Sequence, residues 1–151
     1  INLFLNQIVI SIKELMNKTY GKDIPFSLSG DFNTDLGGAE SSTLKNSGFY
    51  DSFDFAKTPY KGLRVTHTFH PRGGATEARQ IDGQFINESA KENSVIESAG
   101  IYRYKNVDGS ELPIPKTFDE RKENPSDHFP IWMVLDFKKV LDLHKGPTPH
   151  N

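Results

Sequence analysis

Beyond Gly48 the chain carries no second long helical repeat; short apolar runs alternate with turn-forming residues as far as residue 137. This absence constrains the fold more than any single motif. A parallel sheet needs a crossover between each pair of strands, usually a helix, and too few helices are available here. The pattern predicts an α/β fold of the mixed-sandwich kind, with a mainly antiparallel or mixed sheet.

The helical signal is concentrated at the start. Leu5, Ile8, Val9, Ile12, Leu15 and Met16 recur at helical spacing, Lys13 and Glu14 fall on the other face, and Gly21 is a natural stop. The spacing predicts an N-terminal amphipathic helix over 2–18, packed on a sheet. Residues 25–29 alternate and predict a strand running into Gly30-Asp31. Residues 40–46 predict a short helix, and 49–55 a buried edge and turn. Strands are expected over 65–69, 80–86, 95–104 and 131–137. Pro71-Arg72-Gly73-Gly74 reads as a loop, the stretch to Asn93 as polar, Asp108-Gly109 as a hairpin turn, and 110–125 as a long surface loop. Residues 1–138 form one domain or part of one; 139–151 read as a tail or linker.

Three strings place acids near the edges of apolar runs: Gly30-Asp31-Phe32-Asn33, Ile81-Asp82 and Ser126-Asp127-His128. In a strand ending Ser-Gly-Asp-Phe-Asn, Phe32 turns toward the core, and Asp31 and Asn33 point the same way. A carboxylate beside an amide can orient a water and hold a phosphoryl oxygen; a turn closed by Asp and Asn side chains is the alternative. Asp82 lies within a strand-like run, where an acid is costly unless paired. It either orients a histidine and favours its charged form, or sits on the open face of an edge strand. Asp127 is suited to a hard cation and His128 to phosphate contact or proton transfer, although Asn124, Pro125 and Ser126 equally fit a plain loop. His67 and His70 flank Thr68-Phe69 and read as structural, with His70 and Arg72 able to line a substrate mouth. Glu77, Arg79, Arg121 and Lys122 read as solvated surface.

Composition narrows the classes. The 151 residues carry a net charge of −2, which argues against a non-specific nucleic-acid binder held by charge alone and leaves open a nuclease that binds through a metal and a local groove. With no cysteine there is no disulfide, zinc-thiolate site or cysteine nucleophile. No run is long enough to span a bilayer. Asn17-Lys-Thr19 and Asn87-Glu-Ser89 match a glycosylation pattern that also arises by chance. A glycosidase with two separated carboxylates is poorly supported, since the acids come in Asp-His and Asp-Asn pairs.

Taken in order, Gly30-Asp31-Phe32-Asn33, Thr68-Phe69-His70, Ile81-Asp82 with Phe85, and Ser126-Asp127-His128-Phe129-Pro130 resemble the endonuclease/exonuclease/phosphatase superfamily, the DNase I-like metal-dependent phosphoesterases. The resemblance runs from the first helix to the strand near residue 137 and leans toward loosely annotated bacterial members. It implies a four-layer α/β sandwich of which this chain is the C-terminal half. It implies a divalent-metal-dependent phosphodiesterase or phosphatase, with Asp31 activating the attacking water and Asn33 holding the phosphoryl group. Asp127 would bind Mg2+ or Mn2+, and His128 would contact the phosphate, paired with Asp82. The substrate could be nucleic acid, nucleotide, lipid or sugar phosphate.

The chain departs from the pattern at Gly83, where an aromatic is common, and at Gln80, where Arg is common. The Asn and Glu that the first half supplies to the cation have no counterpart here. The resemblance therefore implies a missing N-terminal half, without which the chain would need a partner segment or self-associate. The competing reading is a non-catalytic fragment or binding module that retains the fold.

Overall fold

A computed structural model describes residues 3–21, 24–38, 40–71 and 74–136. Its order is α1 (Leu3–Tyr20), β1 (Ser27–Asp31), α2 (Glu40–Asn46), β2 (Phe49–Asp51), α3 (Ser52–Phe55), β3 (His67–Phe69), β4 (Glu77–Arg79), β5 (Asp82–Asn87), α4 (Glu88–Asn93), β6 (Val95–Ile101), α5 (Phe118–Arg121) and β7 (Ile131–Asp136). The expected tail falls outside the described residues, as does Arg72.

Every ladder between these strands is antiparallel. One sheet has the order β1-β5-β2, and β3-β4 and β6-β7 form two further pairs. The sequence expectation of a mixed helix and antiparallel-sheet architecture holds. Two cores flank the sheets. Leu5 and Val9 of α1 meet Leu36, Leu44, Phe49 and Phe85 in one. Phe53, Ile86, Ile96, Ile101 and Phe129 centre the other.

Several boundaries moved for local reasons. The polar stretch before Asn93 is helical because Asn87 caps α4, its side chain accepting from the Ala90 N–H. The same Asn87 amide donates to Ile24 O at 2.9 Å and accepts from Phe26 N–H at 3.0 Å. Its side chain is thus committed to the fold, and the Asn87 glycosylation match is structural. The turn at 49–55 is a short strand followed by one helical turn, α3, which Asp51 caps through Phe53 N–H. One helical turn, α5, also interrupts the loop expected over 110–125.

The apolar face of α1 is wider than the surface it meets. Leu5 and Val9 are buried, but Ile8 and Leu15 stay exposed at 40% and 62%. On β7, Trp132 and Val134 are exposed as well, at 43% and 49%. No helix among the described residues is long and apolar enough to cross a membrane.

Candidate active site

Strand pairing assembles the acids. In the β1–β5 register Asp31 stands directly opposite Asp82, and Gly30 opposite Gly83. Like charges facing each other across a ladder destabilise it. Here a third group answers one of them: His128 Nδ1 lies 3.0 Å from Asp82 Oδ2. Ligand atoms of Asp31, Asp82 and His128 all fall within 4.8 Å of one another. Asp82 is not on an edge strand, because β5 is the centre of its sheet, and its side chain is only 15% exposed.

The residue that fixes this geometry is Thr66, fully buried just before β3. Its Oγ1 accepts from both Ile81 N–H and Asp82 N–H, each at 3.0 Å. Its own N–H donates to Arg79 O at 2.9 Å, and its carbonyl accepts from Phe129 N–H at 2.7 Å. One threonine thus ties the start of β5 to the chain that carries His128. Tyr104 adds a hydroxyl bond to His128 O at 2.8 Å, and Ser126 Oγ accepts from His128 N–H at 3.1 Å.

Asp31 and Asn33 sit where β1 ends. Asn33 has φ +50°, and its N–H donates to Asp31 Oδ1 at 2.7 Å. The turn reading and the site reading therefore coexist: the carboxylate closes the turn and still reaches the cluster. Strand alternation does not extend to Asn33, which has left the extended region. Phe32 packs inward against the Phe85 ring, with centroids 5.4 Å apart.

Asp127 lies beside the cluster rather than within it, with its side chain 47% exposed. Its two oxygens face His67 Nε2 and Arg121 Nη2, each at 3.7 Å, too far for a direct hydrogen bond. Both neighbours escaped the sequence reading. His67 packs beside the cluster: its ring lies 4.6 Å from that of His128, and the two residues form a β-bridge. Burial pushes the His67 imidazole below its ordinary range and His128 adds to this, against the pull of Asp127, Asp82 and Asp31. Arg121, taken as solvated surface, is only 27% exposed and turned toward the acid. The available signal for His67 was its place in a run of polar residues, Thr66-His67-Thr68, where an apolar strand should be.

His70 is not brought into the cluster. Its Nδ1 lies 2.8 Å from Thr76 Oγ1, and it lines a separate cavity of about 440 Å³. The departure at Gly83 has a steric cause. A Cβ there would lie 2.5 Å from a Phe85 ring carbon and 2.7 Å from Leu36 Cδ1, so an aromatic has no room.

Asp31, Asp82 and His128 offer the oxygen and nitrogen donors that a divalent cation takes, with the half-exposed Asp127 carboxylate beside them.

A mannosyl-6-phosphatase from Bacteroides thetaiotaomicron matches 88% of this chain at 26% identity and a TM-score of 0.55. The fold is that of the endonuclease/exonuclease/phosphatase family. Family members from Bacteroides vulgatus and Leptotrichia buccalis match at 19% and 20% identity, with TM-scores of 0.55 and 0.56, covering 87% and 86% of this chain. The chain spans less than half of these proteins, 46%, 43% and 43% of their lengths. No family model and no curated protein matches the chain. These structural neighbours support a phosphoesterase-type fold.

Proposed function

We propose that this chain is the C-terminal half of a divalent-metal-dependent phosphoester hydrolase, whose N-terminal half completes the cation site. The observation that carries the reading is the juxtaposition of Asp31 and Asp82 across one ladder, with His128 closing on Asp82. Facing carboxylates at the end of a sheet cost stability and gain a purpose when charge must be balanced there.

In this mechanism Asp31 orients the attacking water and takes its proton. The backbone bond from Asn33 holds one oxygen of Asp31, so the other is left to face the water. The Asn33 amide donates to a phosphoryl oxygen. Asp82 holds the His128 ring through Nδ1, which leaves Nε2 to meet the phosphate or pass a proton. Asp127, with further donors from the N-terminal half, would hold Mg2+ or Mn2+, which when bound supplies neutralisation of the charge developing on the phosphoryl oxygens. Burial lowers the basicity of His67 beside Asp127, which weakens its claim on that carboxylate's charge.

The exposed apolar residues of α1 and β7 support a covering segment, since faces of this kind favour association. Phosphate release from aryl and alkyl phosphoesters by the complete protein, with Mg2+ or Mn2+ and then with chelator, tests the reading. Turnover that needs the cation and disappears in Asp127→Asn is expected. Turnover retained in that variant would sink the assignment. The alternative, a fold-retaining binding module, would show cation or phosphate binding in calorimetry with no turnover.

A further inference from the structure

Thr117-Phe118-Asp119-Glu120 has the capping-box spacing, a threonine followed three residues later by a glutamate. The turn α5 uses both members. Thr117 Oγ1 accepts from Glu120 N–H at 3.2 Å, and Glu120 Oε2 accepts from Lys116 N–H at 2.7 Å. Arg121 N–H donates to Thr117 O at 3.1 Å, and Asn124 N–H donates to Arg121 O at 3.1 Å. The backbone that carries Arg121 is thus held on both sides. The two cations at the end of the turn have different fates. Lys122 pairs with Asp119 at 2.7 Å, lies 4.7 Å from the Phe118 ring centroid and is 60% exposed. Arg121 turns toward Asp127, with its side chain 27% exposed.

The guanidinium is placed but uncommitted. It has five N–H donors. Nη1 reaches Asn124 O at 3.4 Å, its one hydrogen-bond acceptor among the described residues, and Nη2 stops 3.7 Å from Asp127 Oδ1. Contacts lead from it into the candidate site. Asp127 Oδ2 lies 3.7 Å from His67 Nε2, the His67 and His128 rings are 4.6 Å apart, and His128 Nδ1 is 3.0 Å from Asp82 Oδ2. The carboxylates of Asp31, Asp82 and Asp127 repel an approaching phosphate. Among the described residues Arg121 is the one permanent cation in ion-pair range of them, since their other partners are His67 and His128. An arginine fork matches two oxygens of a phosphate, and an ion pair this loose and half-exposed is easily exchanged.

Resting on the phosphoester reading, we propose that Arg121 is a substrate-binding residue of this site, whose guanidinium leaves Asp127 and takes two oxygens of the substrate's phosphate group. Asp127 with a divalent cation bound has no charge left for Arg121, and the phosphate becomes the guanidinium's partner instead. The contact is to the phosphate itself, so it holds for any phosphoester and sets affinity rather than the choice of leaving group.

Calorimetric titration of the complete protein with inorganic phosphate, in the presence of Mg2+, tests this. Arg121→Gln should weaken phosphate binding by about ten- to a hundredfold in Kd, the range for losing a charge-assisted hydrogen bond. Mg2+ binding without phosphate should stay the same or tighten, because a competing cation has gone from beside Asp127. Arg121→Lys keeps the charge but not the fork, so it should lose part of the phosphate affinity, and it carries the test if the Gln variant does not fold. Unchanged phosphate affinity in the Gln variant overturns the proposal and leaves Arg121 as a counter-ion to Asp127. Equal losses of Mg2+ and phosphate affinity also overturn it, by making Arg121 a residue that only positions Asp127. Phosphate binding that depends on Arg121, in a protein without cation-dependent turnover, upholds the arginine contact and sinks the hydrolase reading. Cation-dependent turnover with phosphate affinity unmoved by the Arg121 variants does the reverse.

Discussion

The two sides of the site are built differently. On one side Thr66, Asp82 and His128 are locked: a fully buried hydroxyl holds two backbone N–H groups, and the imidazole rests on a carboxylate at 3.0 Å. On the other side Asp31, Asn33 and Asp127 are exposed or half-exposed, and the Asp127 carboxylate has no ion-pair partner closer than 3.7 Å among the described residues. The locked side holds geometry in the absence of any ligand. The open side keeps charge unspent, which is what a site needs if its electrostatics are to be used on a cation and a phosphoryl group. The difference predicts that substitutions on the open side remove activity and spare the fold, while those on the locked side affect both.

The largest effect is expected on the open side. Asp31→Ala should lower turnover of the complete protein by about 10²–10⁴-fold, the usual contribution of a positioned base. Thermal stability should change by no more than about 0.5 kcal/mol, since the side chain is exposed. A loss of activity that tracks a loss of fold would erase the contrast. Asp82→Asn is the exception on the locked side, because Asp82 faces a second carboxylate across the ladder. It keeps the shape and removes the charge that holds His128, so turnover should fall by about 10²-fold. Removing one of two facing carboxylates should leave stability unchanged or slightly raised. A melt that drops sharply would mean that Asp82 is chiefly structural.

The locked side is probed at Thr66. Thr66→Val preserves shape and strands the N–H groups of Ile81 and Asp82, a loss of about 1–3 kcal/mol for a buried donor left unsatisfied. Denaturant unfolding measures this, and Thr66→Ser, which restores the hydroxyl, should recover most of it. Equal losses in Val and Ser variants would assign the effect to packing of the methyl group.

How much of this was legible in the sequence depended on the range of the interactions. The helix at the start, the strand into Asp31, the helix over Glu40–Asn46 and the Asp108-Gly109 turn are local, set by spacing and by turn residues such as Gly109 at φ +84°. The contact between Asp82 and His128 was anticipated from the order of motifs, not from spacing. Thr66, His67 and Arg121 were not seen as parts of the site. Each acquires its place through a partner far along the chain: Ile81 and Asp82 for Thr66, His128 and Asp127 for His67, and Asp127 for Arg121 in three dimensions. A threonine in a strand is ordinary in sequence, and only the register shows that its hydroxyl holds a neighbouring strand. Helix α4 was missed for a related reason. Its capping residue Asn87 closes β5, so strand and helix signals abut with no loop between them.

The smallest expected effect lies away from the site and separates burial from charge pairing. Asp51 is 5% exposed, and burial pushes its carboxyl above the ordinary range. The Phe53 N–H bond opposes that rise, Asp54 adds to it, and Arg64 and Lys45 oppose it. Between the unfolded value near 3.9 and the raised folded value, the native state binds more protons than the unfolded state. Stability contributed by Asp51 therefore falls as pH rises through that window, and is greatest below it. Asp51→Asn keeps an acceptor for Phe53 N–H and has no charge to desolvate. Wild-type stability should thus decline relative to the Asn variant as pH rises from about 4 through the raised value, measured by urea unfolding at a series of pH values. The opposite slope would mean that Arg64, 3.5 Å from the Asp51 carboxylate, outweighs burial, so that this acid, like Asp82, is held by its partner.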